Sequence, residues 1–443
     1  MRPSATKLSC LILPCLLSCA SAQNWPCFRG PGSTGVSLEK NLPSHWDQRK
    51  NVAWSAPMAG QSWSSPIIWE DRIFLTNAVS DGDGEEVRKG LYFGGERRKP
   101  VPFKHRWTVT CLDFDTGEMK WEKLVHEGKP KMPIHIKNSY ASETPVTDGK
   151  RVYAYFGNLG LFVYDMDGEK LWERRVEPMR TRLGWGSAAS PIYHDGRVYI
   201  VNDNEEDSYL LALDAQTGKT IWEVDRHEPS NWSTPFIWTT TERTELITPG
   251  SRRVRSYDLE GKLLWELKGM SSITIATPYA VGDLLYVTSG YVGDRRKPIY
   301  AIRPGAQGDI SLESGETSNA SIAWSQPRAA PYNPSTIVYE GRLYVLLDRG
   351  FLACYDAKTG KQIYKKTRLG AGTGFTASPW AYDGKIFCLD EEGQTEVIEA
   401  GNTFKRLHTN PLEELSLATP AIVRGSLFIR TASRLYSIRN SSN

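Results

Sequence analysis

Eight prolines in this 443-residue chain each follow a Ser, Thr or Asn and open an apolar run rich in β-branched and aromatic residues. They are Pro66, Pro145, Pro191, Pro235, Pro278, Pro334, Pro379 and Pro420, most of them separated by about 44 residues. In most copies an Asp-x-x-(Thr)-Gly turn and then an aromatic follow. A period of that length carrying four short strands is one blade of a β-propeller. Eight copies therefore predict an all-β, eight-bladed propeller with no helical domain. The repeat settles architecture only, because propellers carry enzymes, binding modules and scaffolds alike.

The copy from Ser190 to Trp222 is the most regular. Ile192 and Tyr193 lead into Asp195-Gly196, a two-residue hairpin turn. Arg197 to Val201 alternates polar and apolar residues as a half-buried strand does. Tyr209 to Leu213 forms a third strand. Asp214 then caps local backbone, and Gly218 supplies a positive φ in the turn. Trp222 falls on the fourth, outermost strand, where its ring can cover the gap to the neighbouring blade. The same spacing recurs as Asp113 to Trp121, Asp165 to Trp172, Asp258 to Trp265 and Asp356 to Tyr364. The fifth copy departs, with Ile302-Arg303-Pro304-Gly305 and a polar stretch before Trp324. The seventh has Glu399 and Phe404 where Asp and Trp are expected, which predicts a weaker outer strand. The eighth ends without an outer strand. Asn51–Trp54, an orphan strand ahead of the first repeat, is expected to pair with Leu435–Ile438 and close the ring, removing an open edge.

Residues 1–22 read as a signal peptide: Arg2 and Lys7 precede an apolar run too short to span a bilayer, and Ala20-Ser21-Ala22 fits a cleavage site. The expected product is an exported, periplasmic or extracellular protein, with residues 23–443 forming one propeller domain. A rival reading takes Leu16-Leu17-Ser18-Cys19 as a lipobox and Cys19 as a lipid anchor. No other segment reaches membrane-spanning length. A net charge of +3 argues against polyanion binding, and the basic clusters Arg97-Arg98-Lys99, Arg252-Arg253 and Arg295-Arg296-Lys297 read as solvated loops, so no nucleic-acid partner is expected. The seven histidines are scattered without metal-binding spacing. Cys111 and Cys354 occupy equivalent third-strand positions, in different sheets, and read with Cys388 as small buried hydrophobes. Gly370–Gly374 reads as a tight crossing between blades six and seven. A monomer is expected.

The connections between blades gather at one mouth of the axial channel, joined by the loops between second and third strands, and such a rim is the default ligand site. Corresponding slots of different repeats place Trp63, Asn138, Tyr140, Trp185, Asn231, Trp232, Tyr332, Asn333 and Phe375 around that mouth. Rings beside amides suit a protein or glycan ligand. The charged insertion Ser80–Arg106, between the second and third strands of the first blade, is expected to lie over the same mouth as a flap.

The stretches LALDAQTGKTIW, CYDAKTGKQIY and CLDFDTGEMKW resemble the repeats of pyrroloquinoline-quinone (PQQ)-type propellers. That superfamily includes quinoprotein alcohol dehydrogenases and BamB-type outer-membrane assembly lipoproteins. Trp25-Pro26-x-Phe28-Arg29-Gly30-Pro31, followed by Gly35-Val36-Ser37, is similar to an entry motif of secreted bacterial members. For the dehydrogenases the resemblance implies PQQ held by an adjacent Cys-Cys disulfide and a stacking Trp, with calcium on Glu and Asn beside a catalytic Asp. No two adjacent cysteines exist here. Asn204 and Glu205, with Asp203 nearby, are candidate calcium ligands through their hard oxygens, although NDNEED also reads as a solvated hairpin loop. No cofactor is therefore expected. The resulting expectation is a non-catalytic binding or scaffold propeller, with a quinone-dependent dehydrogenase and a BamB-like assembly scaffold as the alternatives.

Overall fold

The computed structural model describes residues 24–93, 98–370 and 374–440. The leader with Cys19, Arg97 and the middle of the Gly370–Gly374 run lie outside them. Eight antiparallel sheets form the blades of a propeller. Among the described residues the helical pieces are two three-residue 3-10 turns, Pro31–Ser33 and Arg182–Gly184. Blade 1 comprises Ile67–Trp69, Arg72–Ser80, His105–Asp113 and Met119–Gly128, and blade 3 comprises Ile192–His194, Arg197–Asn202, Tyr209–Asp214 and Thr220–Asp225. In blade 3 Asp195 and Gly196 both take positive φ, as the two-residue turn requires. The second and third strands are the buried ones: Val198, Tyr199, Leu210, Ala212 and Leu213 have no exposed surface.

The ring closes in blade 8, where Val52–Pro57 pairs antiparallel with Arg434–Arg439 as the fourth strand. Trp54 faces Ser437, after a register irregularity between Val52 and Trp54.

Trp54 also shows what the repeated Asp-turn-aromatic spacing is for. Its Nε1 donates to the Phe114 carbonyl of blade 1 at 3.1 Å, one residue past the turn aspartate. A Cβ on Gly117 of that turn would stand 2.4 Å from the indole. The ring of one blade thus sits on the turn of the next, and only glycine leaves room. The same lock joins Trp121 to Gly168, Trp172 to Gly218, Trp222 to Gly261 and Trp324 to Gly360. The aspartate holds the turn open to receive the ring: Asp214 Oδ1 accepts from the N–H of Gln216 and Thr217 and from the Thr217 hydroxyl.

Two irregular repeats differ from expectation in instructive ways. The polar stretch of the fifth copy folds back, so that Gly308–Asp309 pairs parallel with Trp265 and Glu266 as a fifth strand on blade 4. Trp265 is consequently fully buried, with its Nε1 donating to Glu245 Oε2 at 2.7 Å. The seventh outer strand, expected to be weak, is a full six-residue strand, Arg406–Pro411, paired along Gln394–Glu399. Its support comes from the N-terminal segment: Asn410 Oδ1 accepts from the Trp46 N–H, Asn410 Nδ2 donates to the Ser44 carbonyl, and His45 stacks on His408 at 3.7 Å.

Ahead of that, residues 25–37 run as a strap across the end of the axis away from the mouth. Trp25 bridges antiparallel to Ile68 of blade 1, and Val36 bridges parallel to Ala381 of blade 7. Between them Arg29 is fully buried, donating to the carbonyls of Ser33, Thr34 and Thr336. Burial pulls its guanidinium down to about 10.

Candidate functional site

Each blade's inner strand is preceded, two residues before it starts, by a Ser or Thr, and in six blades its hydroxyl accepts from a backbone N–H of the blade behind. The Ser65 N–H donates to Thr144 Oγ1, Thr144 N–H to Ser190 Oγ, and Ser190 N–H to Thr234 Oγ1, all at 2.9–3.1 Å. The series continues from Thr277 to Ser335, Ser335 to Ser378, and Ser378 to Thr419. In blade 6 the hydroxyl follows its proline rather than preceding it, so the proline is not what the repeat conserves in space. The sequence carried this signal, a small hydroxyl residue at one slot in every copy, but its role is visible only when the blades stand in a ring.

Seven of these residues form the lower wall of an axial funnel of about 440 Å³, and Phe28 of the strap reaches it from below. Higher up, the walls are aromatic: Trp63, Trp185, Trp232, Tyr291 and Tyr332. Trp185 and Trp232 stand 5.9 Å apart in a tilted arrangement, and Trp232 is fixed by donating to the Gly186 carbonyl at 2.7 Å. Gly90–Phe93 of the insertion lie over this opening, with Tyr92 stacked on His135 and Phe93 edge-on to Trp185. Burial, Lys137 and Arg98 hold His135 down to about 4, so it is neutral at physiological pH.

The flap is tied to blade 7, two places round the ring from its own blade. The Gly90 N–H donates to Glu391 Oε2 at 2.7 Å, and Lys137 Nζ donates to the Gly90 carbonyl and to Glu391 Oε1. Thr376 Oγ1 also donates to Glu391 Oε1. Glu391 and Lys137 are 1% and 12% exposed at their side chains, so this pair is a shielded, hydrogen-bonded latch rather than a surface ion pair. The Trp63 and Trp185 indole N–H groups are buried with no protein partner among the described residues. Arg349 also lines the rim.

Of the residues expected at the mouth, Trp63, Asn138, Trp185, Trp232, Tyr332 and Asn333 line the funnel. Three expected there do not. Tyr140 is turned outward, its hydroxyl donating to the Met132 carbonyl and its ring edge-on to His105. Phe375 is buried in the core shared by blades 6 and 7. Asn231 is buried as a loop tie, accepting from the Thr274 N–H and donating to the Pro229 carbonyl. Asn138 is likewise engaged, donating to the carbonyls of Trp185 and Ser187 and accepting from Ser142. The Ser80–Arg106 insertion, expected over the mouth, does reach it through Gly90–Phe93, whereas His135, Lys137 and Phe28 were not expected to line it, because no repeat slot marks them.

A family model described as "Outer membrane protein assembly factor BamB" matches residues 40–206, 105–291, 206–338 and 317–442. The chain belongs to this family of PQQ-type propellers. Among relatives of this BamB-type propeller are a polyvinylalcohol dehydrogenase of Sphingopyxis sp. (24% identical, over 62% of this chain and 49% of that one) and BamB of Burkholderia pseudomallei (23%, over 57% and 66%). The chain thus spans about half the length of the dehydrogenase. In fold it resembles a europium-containing methanol dehydrogenase (TM-score 0.60, 10% identity, 94% of this chain and 98% of that one). It is also similar to BamB of Moraxella catarrhalis (TM-score 0.55, 11% identity, 87% and 99%).

The residues present do not fit the metal-and-quinone arrangement of the dehydrogenases. Among the described residues no group of three or more His, Cys, Asp or Glu is placed to hold a metal ion. The candidate calcium ligands are engaged elsewhere: Asn204 Oδ1 accepts from the N–H groups of Glu206 and Asp207, and Glu205 Oε1 accepts from Ser230. Asp203 is fully buried in a two-pronged pair with Arg226 at 2.7 and 3.1 Å. Cys27, Cys111, Cys354 and Cys388 are free thiols, and burial pushes Cys111 and Cys354 up to about 12. Cys111 and Cys354 face the outer-strand aromatics Trp121 and Tyr364 across the sheet. No helix among the described residues is long and apolar enough to cross a membrane.

Proposed function

We propose that this protein is an exported BamB-type propeller that binds a small, flat or ring-shaped ligand in its axial funnel and does no chemistry on it. The observation that carries the reading is the flap: four residues of a blade 1 insertion, latched by Lys137 and Glu391, cover an aromatic cavity. A covered cavity of this size suits a small molecule or one inserted side chain better than a protein surface. The aromatic faces supply contact area, and the unpartnered indole donors of Trp63 and Trp185 favour a ligand carrying oxygen acceptors.

The names of the dehydrogenase relatives support a second reading, an oxidoreductase. One experiment separates the two. Purified protein is mixed with quinone and calcium, followed by absorbance and by dye-coupled oxidation of alcohols; turnover overturns the binding reading. In parallel, intrinsic fluorescence is titrated with a panel of saccharides and aromatic acids. Trp185→Ala and Trp232→Ala should each weaken the ligands found by about tenfold or more. If both variants fold and keep every ligand of the parent, the funnel is not the site. Intact mass decides the export route: a mature chain starting at Gln23 is expected, and an acylated Cys19 would replace soluble export with a membrane tether.

A further inference from the structure

Outside the funnel a second cavity, of about 260 Å³, lies over the top of blade 2. The end of blade 1's outer strand and the crossing after it form one side, and the 156–159 hairpin and 175–178 form the other. Its walls include Trp107, Tyr140 and Phe156. The first two rings are fixed in place: Trp107 Nε1 donates to the Tyr140 carbonyl at 3.0 Å, and Tyr140 is held by its own hydroxyl bond to Met132.

At the base sits the carboxyl of Glu143, 2% exposed. Its Oε1 accepts from Ser187 Oγ at 2.6 Å and from the Gly157 N–H at 3.1 Å. A side chain at position 157 would collide with both groups, its Cβ 2.0 Å from Ser187 Oγ and 2.8 Å from Glu143 Oε1. Glycine there lets the hydroxyl and the carboxyl meet. Burial raises this carboxyl above the usual range, against the opposing pull of Ser187 and nearby backbone N–H groups. A buried acid in a polar cradle, opening on aromatic walls, is more than packing needs.

The rim has the opposite character. Lys129, Lys131 and Arg175 surround the opening together with Asn158, His126 and one carboxylate, Glu177, so cations outnumber it three to one, although Arg175 is also paired with Glu173. Arg175 and Lys131 add to burial in holding His126 below its usual value.

We infer that this cleft is a second ligand site and that it takes an acidic saccharide. Aromatic walls accept the apolar face of a sugar ring, the carboxyl, hydroxyl and amide groups of Glu143, Ser187 and Asn158 meet ring hydroxyls, and the basic rim meets a sugar carboxylate through charge-assisted hydrogen bonds. The site is independent of the funnel and of what the funnel binds.

Calorimetric titration of the full chain with trigalacturonate and with a neutral galactose trisaccharide tests the assignment. The acidic sugar should bind, and the neutral one about tenfold more weakly, the loss of one charge-assisted contact. Glu143→Gln and Asn158→Ala should each weaken the acidic sugar by about tenfold. Lys129→Ala combined with Lys131→Ala should erase the preference for it, while Trp232→Ala in the funnel should change nothing. If Glu143→Gln does not fold, Asn158→Ala and the lysine pair, on the rim, carry the test. No binding by the parent, equal affinity for both sugars, or binding lost in Trp232→Ala yet kept in the cleft variants would each overturn the proposal.

Discussion

The seam between blades 2 and 3 and the seam between blades 7 and 8 close the same kind of gap with different material. Between blades 2 and 3 the ring and the turn both come from the repeat: Trp172 of one outer strand rests on Gly218 of the next turn. Between blades 7 and 8 there is no such ring and turn. The gap is filled by residues far away in sequence, with Trp46 buried against Phe387 and with Ser44 and His45 on His408 and Asn410. Blade 8 has no Asp-Gly turn to receive a ring, so a strap supplies the surface instead. A repeated local code therefore suffices where both neighbours carry it, and a non-local segment becomes necessary where one does not.

The largest effect should come from taking that segment away. Deleting residues 24–50 while keeping Val52–Pro57 removes the buried Trp25, Leu42 and Trp46 and leaves their cavities open. The expected loss exceeds about 6 kcal/mol, comparable to the stability of a whole domain. Thermal melting and gel filtration would show it as unfolding or aggregation; a soluble truncation with the parent's melting temperature would break the comparison.

A glycine pair isolates the ring-on-turn lock. Gly218 and Gly425 share a φ of 71°, but a Cβ on Gly218 would lie 2.5 Å from Trp172 while one on Gly425 meets nothing within 4 Å. Gly425→Ala should cost about 1 kcal/mol, for backbone strain alone. Gly218→Ala should cost about 2–4 kcal/mol, because strain and overpacking add. Equal losses in urea denaturation would mean that the lock contributes nothing.

Smaller differences should separate individual locks. Trp222 Nε1 donates to the Leu259 carbonyl at 2.8 Å, whereas Trp172 Nε1 has no partner. The carbonyl that would serve Trp172, that of Ala215, accepts from the Tyr153 hydroxyl instead. Trp222→Phe should therefore cost about 1 kcal/mol more than Trp172→Phe, measurable by the same denaturation.

The smallest effect is a pH slope that differs in sign between the repeat turns and blade 7. Lys120 and backbone donors hold the turn aspartate Asp113 down to about 2, so its stabilisation is present above the ordinary carboxylate range and is lost as pH falls through about 2. Asp390, in blade 7, is buried and raised to about 6. Its contribution is complete below about 4 and is lost as pH rises through about 6. Asp390→Asn should flatten the melting temperature between those values and leave the acid limb unchanged; a parallel shift of the whole curve would contradict this.

Blade number and the outer-strand tryptophans were legible because each depends on spacing inside one repeat, and the closure because the last repeat lacks the outer strand that the N-terminal segment supplies. What the proline-marked slots could not show was which way each side chain turns. Trp63, Trp185 and Trp232 face the funnel, while Tyr140 and Phe375, from comparable slots, turn outward or into the core. The difference arises from what each side chain meets: His105 and Met132 hold Tyr140, and Leu369 and Ile398 pack in the core around Phe375. The latch was illegible for the same reason, since Lys137, Gly90, Thr376 and Glu391 lie far apart in sequence and none belongs to a repeated position. The fold-back of Gly308–Asp309 was hidden because a polar stretch reads as loop until an unpaired edge stands beside it.

Asn24 accepts a hydrogen bond from the Glu70 N–H, at the turn where the first inner strand ends, on the face opposite the funnel mouth. The described chain therefore starts at the back of the propeller. The strap thus marks the two faces of the disc as well as closing a seam: the funnel and the blade 2 cleft open on the face away from it.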